Sequence, residues 1–203
     1  MTHFLLVRHG QTEWNRIRRV QGQTDALLDE TGREQARLVG ERLASEEGIS
    51  AVYASDLSRA MDTAKAIVDH HPELDITADE RMREIDFGPW EGKLWQEFEA
   101  QDKELIEKWR QDVTSVTIPG VEPIEDFASR VQSFMDHMVA KHPEDKILVA
   151  AHGGSINMFL TIAMEMPLKN CWRMQVSNTS IAELYIFPEG SYLVKTNDAH
   201  HLP

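Results

Sequence analysis

Short apolar runs and helical-period stripes alternate along the chain. Phe4 to Val7 is apolar throughout, too short for a helix and followed by Arg8-His9-Gly10, which predicts a buried strand feeding a loop. Thr31-Gly32-Arg33-Glu34 has capping-box spacing and is followed by Ala36, Val39 and Leu43 at helical intervals, so a helix is expected from Thr31. Ala51 to Ala54 predicts a second strand. Ser55-Asp56 then reads as a cap pair for a helix whose apolar face is Ala60, Ala64, Ile67 and Val68 and which ends near His71-Pro72. Leu74 to Ala78 predicts a third strand, and the turn-rich stretch Asp79 to Gly92 follows it. From Leu94 to Trp109 the apolar residues are loosely spaced among many charges, as in an exposed cap. After the breaks at Pro119-Gly120 and Pro123, Ile124 to Val139 is the clearest helix, with Phe127, Val131, Phe134, Met135 and Met138 on one face. Ile147 to Ala151 is a fully apolar strand ending in His152-Gly153-Gly154. Ser155 is expected to open a helix through Ile156, Phe159, Leu160 and Ala163, and Ser180 to Phe187 with Tyr192 to Thr196 predicts a hairpin around Pro188-Glu189-Gly190.

This alternation argues for an α/β fold with a parallel or mostly parallel sheet covered by helices on both faces. No repeat or linker divides the chain, so residues 1–203 are expected to form one domain with a helical cap at about 94–121. Open sheets of this kind bind ligands beyond the carboxyl ends of their strands. Arg8-His9-Gly10, Arg59, Glu84 and His152-Gly153 all fall at such ends.

Composition narrows the function classes. The 21 Lys and Arg residues against 34 Asp and Glu leave a net charge of −13, the wrong sign for a nucleic-acid binder. No apolar run approaches the ~20 residues that span a bilayer, so no membrane partner is expected. The single cysteine, Cys171, permits no intrachain disulfide and no thiolate metal cluster, which points to the cytoplasm. Residues 1–24 nevertheless carry Arg8, Arg16, Arg18 and Arg19 against Glu13 alone. A small anion can be held there, because exposed charges more than ~8 Å away are screened.

Two histidines, two arginines and a carboxylate at one sheet edge suffice for phosphoryl transfer without a metal. A neutral imidazole can attack phosphorus, and adjacent guanidinium groups disfavour its protonation. Arg8 and Arg59 would clamp the phosphoryl oxygens with planar forks. A carboxylic acid must protonate the leaving oxygen and later activate water. Glu84 can do both, and so, on spacing alone, can Glu80 or Asp86. His9 or His152 taken singly reads more readily as a histidine bonded to backbone than as a catalytic group. No metal is expected, because His-Glu-x-x-His and His-x-His are absent and the pairs His70-His71 and His200-His201 lack carboxylate spacing; the latter pair reads as solvated. Neither a Gly-x-x-x-x-Gly-Lys-Ser/Thr loop nor a Gly-x-Ser-x-Gly elbow is present, and no cofactor is expected.

These residues resemble the histidine phosphatases of the phosphoglycerate mutase-like superfamily. Residues 5–15, Leu-Leu-Val-Arg-His-Gly-Gln-Thr-Glu-Trp-Asn, match its signature. Further matches are Gln21-Gly22, Leu28-x-x-Thr31-Gly-Arg-x-Gln-Ala36, Ser55-x-Leu-x-Arg59-Ala, Arg83-Glu84-Ile-Asp-Phe-Gly-x-Trp-Glu-Gly92 and Ala151-His152-Gly153-Gly154, and the likeness runs to near residue 198. The resemblance implies a three-layer α/β/α fold and two chemical steps through a phosphohistidine at His9. It implies that Arg8, Arg59 and His152 bind the phosphoryl group with Asn15 and the Gly153 backbone, that Gln21 and Gly22 line the pocket, and that Glu84 shuttles the proton.

Bisphosphate-dependent mutases of this family follow the acid with Arg-His-Tyr-Gly and carry a longer basic insertion before the second histidine. Here Ile85-Asp86-Phe87-Gly88 follows, and Lys103, Lys108 and Arg110 are outnumbered by acids. Phe87-Gly88-x-Trp90-Glu91-Gly92 and Asn197-Asp198 look nearest to the broad-specificity and α-ribazole phosphatase branch. The expected activity is hydrolysis of a small-molecule phosphomonoester, with a mutase or a non-catalytic phospholigand-binding module as alternatives. Specificity is expected between Leu94 and Val121, where Trp95, Phe98 and Trp109 either contact the leaving group or pack the cap. Neither the physiological substrate nor the oligomeric state follows from the residues.

Overall fold

In the computed structural model, which describes residues 1–97 and 103–203, the strands are β1 Thr2–Arg8, β2 Ile49–Ala54, β3 Ile76–Ala78, β4 Lys146–Ala151, β5 Ile181–Phe187 and β6 Gly190–Asp198. The helices are α1 Glu13–Arg16, α2 Glu30–Leu43, α3 Ser58–Val68, α4 Lys103–Gln111, α5 Ile124–Lys141 and α6 Gly153–Ala163. The strands form one sheet in the order β3-β2-β4-β1-β5-β6. β1 with β4, β2 with β4 and β2 with β3 run parallel, whereas β5 pairs antiparallel with β1 and with β6. The expected hairpin is thus the antiparallel end of a mostly parallel sheet.

Side chains alternate across each strand, and the alternation sorts the core into two layers. Phe4 and Leu6 of β1 and Ile147, Val149 and Ala151 of β4 pack with Phe127, Val131, Phe134 and Met138 of α5 and Ile156, Phe159 and Leu160 of α6. Leu5 and Val7, with Leu148 and Ala150, pack on the other face with Val39 and Leu43 of α2 and Ala64 and Ile67 of α3. Helices therefore cover both faces, giving the three-layer α/β/α architecture. α4 falls inside the stretch expected as a cap, and its Ile106 and Trp109 are buried in the larger of the two apolar clusters.

Several boundaries differ from the sequence reading. α2 starts at Glu30 because Asp29, not Thr31, caps it, the Asp29 Oδ1 accepting the Gly32 N–H at 2.8 Å. α3 starts at Ser58 with no side-chain cap. Ser55 is committed elsewhere, as described below. α6 opens at Gly153 directly after His152, so the second histidine stands at a helix N-terminus. Among the described residues no helix is long and apolar enough to cross a membrane.

Candidate active site

Four segments deliver charged side chains to the carboxyl end of the sheet. β1 ends in Arg8 and leads into His9, β4 leads into His152, Arg59 is the second residue of α3 after β2, and Glu84 follows β3 by one 3-10 turn, Glu80–Met82. They meet at a cleft of about 330 Å³ lined by Arg8, His9, Asn15, Gln21, Gly22, Arg59, Glu84 and Gly153 among others. His152 stands beside His9, with ring centroids 5.1 Å apart.

The His9 ring is buried, and its Nδ1 lies 2.6 Å from the Gly10 carbonyl. A carbonyl only accepts, so the proton sits on Nδ1 and the lone pair on Nε2. Burial first, and then the positive charges of Arg59 and Arg8, hold the imidazole well below its ordinary pKa. It is therefore neutral at physiological pH and carries a nucleophilic nitrogen of fixed tautomer. His152 is neutral for the same reasons, with desolvation the largest. Its Nε2 is 2.8 Å from the Ser55 hydroxyl, which also accepts the Leu57 N–H at 3.4 Å. As a hydroxyl, Ser55 keeps both its proton and a further lone pair for that ring.

Arg59 is only 1% exposed although it sits in the first turn of a helix, where a positive charge is disfavoured. Its two terminal nitrogens donate to the Gly22 carbonyl at 2.7 Å and the Thr24 carbonyl at 2.9 Å. Desolvation lowers its pKa to about 10, so it keeps its charge. Arg8 donates through Nη1 to the Val176 carbonyl at 2.6 Å. Arg8 Nε, Arg59 Nε and His152 Nδ1 are buried without a hydrogen-bond partner among the described residues. Each such donor costs about 1–3 kcal/mol until something accepts from it. An oxyanion does so for the two arginine nitrogens, and the Gly153 N–H at the start of α6 adds the charge preference of a helix N-terminus.

Two further donors are oriented by their own acceptor atoms. Asn15 Oδ1 accepts from the Thr12 N–H at 3.1 Å and from Asn178 Nδ2 at 3.4 Å, leaving the Asn15 amide nitrogen for the cleft. Gln21 Oε1 accepts the Thr12 hydroxyl at 2.9 Å, which leaves its nitrogen likewise.

The three carboxylates that spacing could not separate are separated here. Glu84 lines the cleft, its two oxygens accepting from the Ile85 N–H at 3.0 Å and the Gly154 N–H at 2.9 Å. Glu80 is an exposed side chain 4.0 Å from Arg83, and Asp86 closes a turn by accepting from the Gly88 N–H at 2.7 Å. A neutral imidazole, paired guanidinium groups, orphaned buried donors and one carboxyl can together transfer a phosphoryl group.

Residues 4–199 match the family model of the histidine phosphatase superfamily, branch 1. The chain belongs to that superfamily. This histidine phosphatase is 33% identical over 200 residues to phosphoglycerate mutase-like protein 4 of Arabidopsis thaliana, covering 98% of this chain and 86% of the relative. It is 28% identical over 202 residues to phosphoserine phosphatase 1 of Hydrogenobacter thermophilus, covering 100% of this chain and 95% of the relative. The solved structure of Bacillus stearothermophilus YhfR matches all of both chains at 29% identity with a TM-score of 0.92. Membership carries the enzyme class expected from the motifs.

Sequence reasoning assigned no role to several groups that shape this histidine phosphatase site. Glu91 clasps the loop that holds Arg59: its Oε1 accepts the Gln23 and Phe87 N–H groups at 2.8 and 3.1 Å, and its Oε2 accepts the Thr24 N–H at 2.9 Å. The clasp needs Gly22, whose φ is +55° and where a Cβ would lie 1.9 Å from Glu91 Oε1. Glu91 was visible only as part of the Trp90-Glu91-Gly92 motif. Ser55 read as a cap but bonds His152. Asn178 and Thr179 hold the His9 backbone, Asn178 Nδ2 donating to the His9 carbonyl at 3.0 Å and the Thr179 N–H to the Arg8 carbonyl at 3.0 Å. His201, expected to be solvated, is half-buried and its Nε2 lies 3.1 Å from the Thr179 hydroxyl. Trp172, Met174 and Val176 line the cleft from the segment before β5 and carry no sequence signal. Phe98 lies outside the described residues.

Proposed function

We propose that the protein is a phosphomonoesterase that hydrolyses small phosphorylated metabolites through a phosphohistidine at His9, without a metal. The observation that carries this reading is the bond from His9 Nδ1–H to the Gly10 carbonyl in a ring held neutral between two arginines. It leaves Nε2 as the attacking atom. In the first step Nε2 bonds to phosphorus, the ester P–O bond breaks, and the departing oxygen takes the proton of the Glu84 carboxyl. In the second, the Glu84 carboxylate takes a proton from water, the hydroxyl oxygen bonds to phosphorus, and the P–N bond returns its electron pair to His9. Arg8, Arg59, His152, Asn15 and the Gly153 N–H hold the equatorial oxygens, and the guanidinium charges neutralise them as a divalent ion does in other phosphatases. Gln21 and Gly22 form the near wall.

Water is the acceptor in this reading because acids outnumber Lys103, Lys108 and Arg110 in the cap and Lys108 is paired with Glu104 at 2.8 Å. Residues 1–203 form one catalytic domain with residues 94–121 as its cap. Its compartment is the reducing cytoplasm, where Cys171, buried and with a thiol that desolvation has pushed up to about 12, stays inert.

The test is a panel of phosphomonoesters assayed with and without a chelator, with mutase activity measured alongside and vanadate as the five-coordinate mimic. Hydrolysis that survives chelation and is inhibited competitively by vanadate is expected. Activity lost on chelation and restored by a divalent ion overturns the metal-free step. Transfer between two hydroxyls in preference to water overturns the choice of acceptor.

A further inference from the structure

The cleft at His9 continues into a second hollow. Phe87, Trp95 and Trp172 line the cleft and also wall a space of about 490 Å³ that Trp109 and Arg110 complete. Its aromatic residues come from separate segments: Phe87 from the turn after Glu84, Trp95 from the stretch beyond Gly92, Trp109 from α4 and Trp172 from the stretch after α6. The rings hold one another in place. Phe87 and Trp95 meet edge to face at 6.3 Å, Trp90 and Trp109 at 6.1 Å, and Trp109 and Trp172 lie tilted at 5.9 Å. Rings already ordered this way lose little freedom when a ligand packs on them.

Trp172 joins the hollow to the chemistry. A Cβ at Gly154 would lie 3.0 Å from Trp172 Cη2 and 2.0 Å from Glu84 Oε1, so the indole borders the carboxyl that protonates the leaving oxygen. Its Nε1–H is buried with no partner among the described residues. A hydroxyl-rich or carboxylate-bearing group entering this space would shed water and meet the negative faces of the rings in return, which is unfavourable. A planar ring would stack on those faces, and an acceptor atom at its edge would take up the indole N–H.

We infer that this aromatic hollow is the leaving-group subsite, and that it selects phosphomonoesters of primary alcohols carrying a planar ring with an edge acceptor over esters of amino acids or polyols. The inference rests on the phosphatase reading of His9. It is tested with four esters of similar leaving-group basicity: 2-pyridylethyl, 2-phenylethyl and ethyl phosphate, and phosphoserine. The ring esters are expected to exceed ethyl phosphate and phosphoserine in kcat/KM by about 10-fold or more. Trp109→Leu should collapse the ratio of phenylethyl to ethyl phosphate. Trp172→Phe, which keeps an aromatic wall if the first variant does not fold, should lower the ratio of pyridylethyl to phenylethyl phosphate about 5-fold, one hydrogen bond's worth. Phenylethanol binding to the vanadate-loaded protein, read by tryptophan fluorescence, reports the subsite without turnover and so separates its failure from failure of the phosphatase reading. Equal loss for every ester in both variants, or a preference for phosphoserine that Arg110→Ala abolishes, overturns the inference.

Discussion

Gly154→Ala puts one methyl group against Glu84, the proposed proton donor. Gly154 is the second residue of α6, and a Cβ there would lie 2.0 Å from Glu84 Oε1, whereas ordinary contact begins at 3.4 Å. The carboxylate would have to retreat by about 1.4 Å and give up the bond it accepts from the Gly154 N–H. A misplacement of about 1 Å costs roughly 100-fold in rate when geometry decides the step. We therefore expect kcat for an alkyl phosphate to fall by about that factor. The fold should tolerate the change. Alanine gains about 1 kcal/mol of helix propensity over glycine, against an overpacking cost of about 1–3 kcal/mol, since Trp172 also closes on the site. Vanadate affinity should stay within a few-fold, because Arg8, Arg59 and His152 are untouched. Steady-state hydrolysis of ethyl phosphate, urea denaturation and vanadate titration read the three quantities separately. A well-folded variant that still binds vanadate and hydrolyses ethyl phosphate near the wild-type rate would refute the placement of Glu84 as the proton donor.

Glu84→Gln should slow hydrolysis of an alkyl phosphate by about 10² to 10⁴-fold and the p-nitrophenolate burst far less, since a nitrophenolate leaves without a proton; equal loss of the burst with both substrates would show that Glu84 only binds. Acid should destabilise the fold early. His9 and His152 are held neutral well below their ordinary values, so below about pH 6.5 the unfolded chain takes up protons that the folded one refuses, and stability falls by up to about 1.4 kcal/mol per pH unit for each ring. Urea midpoints measured in phosphate-free buffer between pH 7.5 and 5 check this, and a midpoint that holds or rises on acidification contradicts it.

The layers of the fold were legible because the central strands face two cores: Phe4 and Leu6 serve one and Leu5 and Val7 the other, so β1 reads as an unbroken apolar run. The helix starts were less so. Thr31 and Ser55 had the right chemistry to cap, but Thr31 already lies inside the first turn of α2 and Asp29 stands just before it, while Ser55 was taken by His152. At the candidate site, Arg8, His9, Arg59 and His152 could be placed from their positions after strands. Choosing Glu84 over Glu80 and Asp86 required either the family motif or the Gly154 N–H, a contact 70 residues away along the chain. Trp172, Asn178 and Glu91 act through contacts between distant segments, and spacing carries no trace of those.

The reading turns on whether His9 becomes covalently phosphorylated. Rapid quenching during turnover of labelled substrate should trap a protein-bound phosphoryl group that is stable in alkali and labile in acid, as a phosphoramidate is and an acyl phosphate is not. Peptide mapping should place it on His9. His9→Ala should abolish the label, and His152→Ala should only diminish it. Alkali-stable label that persists in His9→Ala, or turnover that proceeds through no labelled protein at all, would contradict the mechanism.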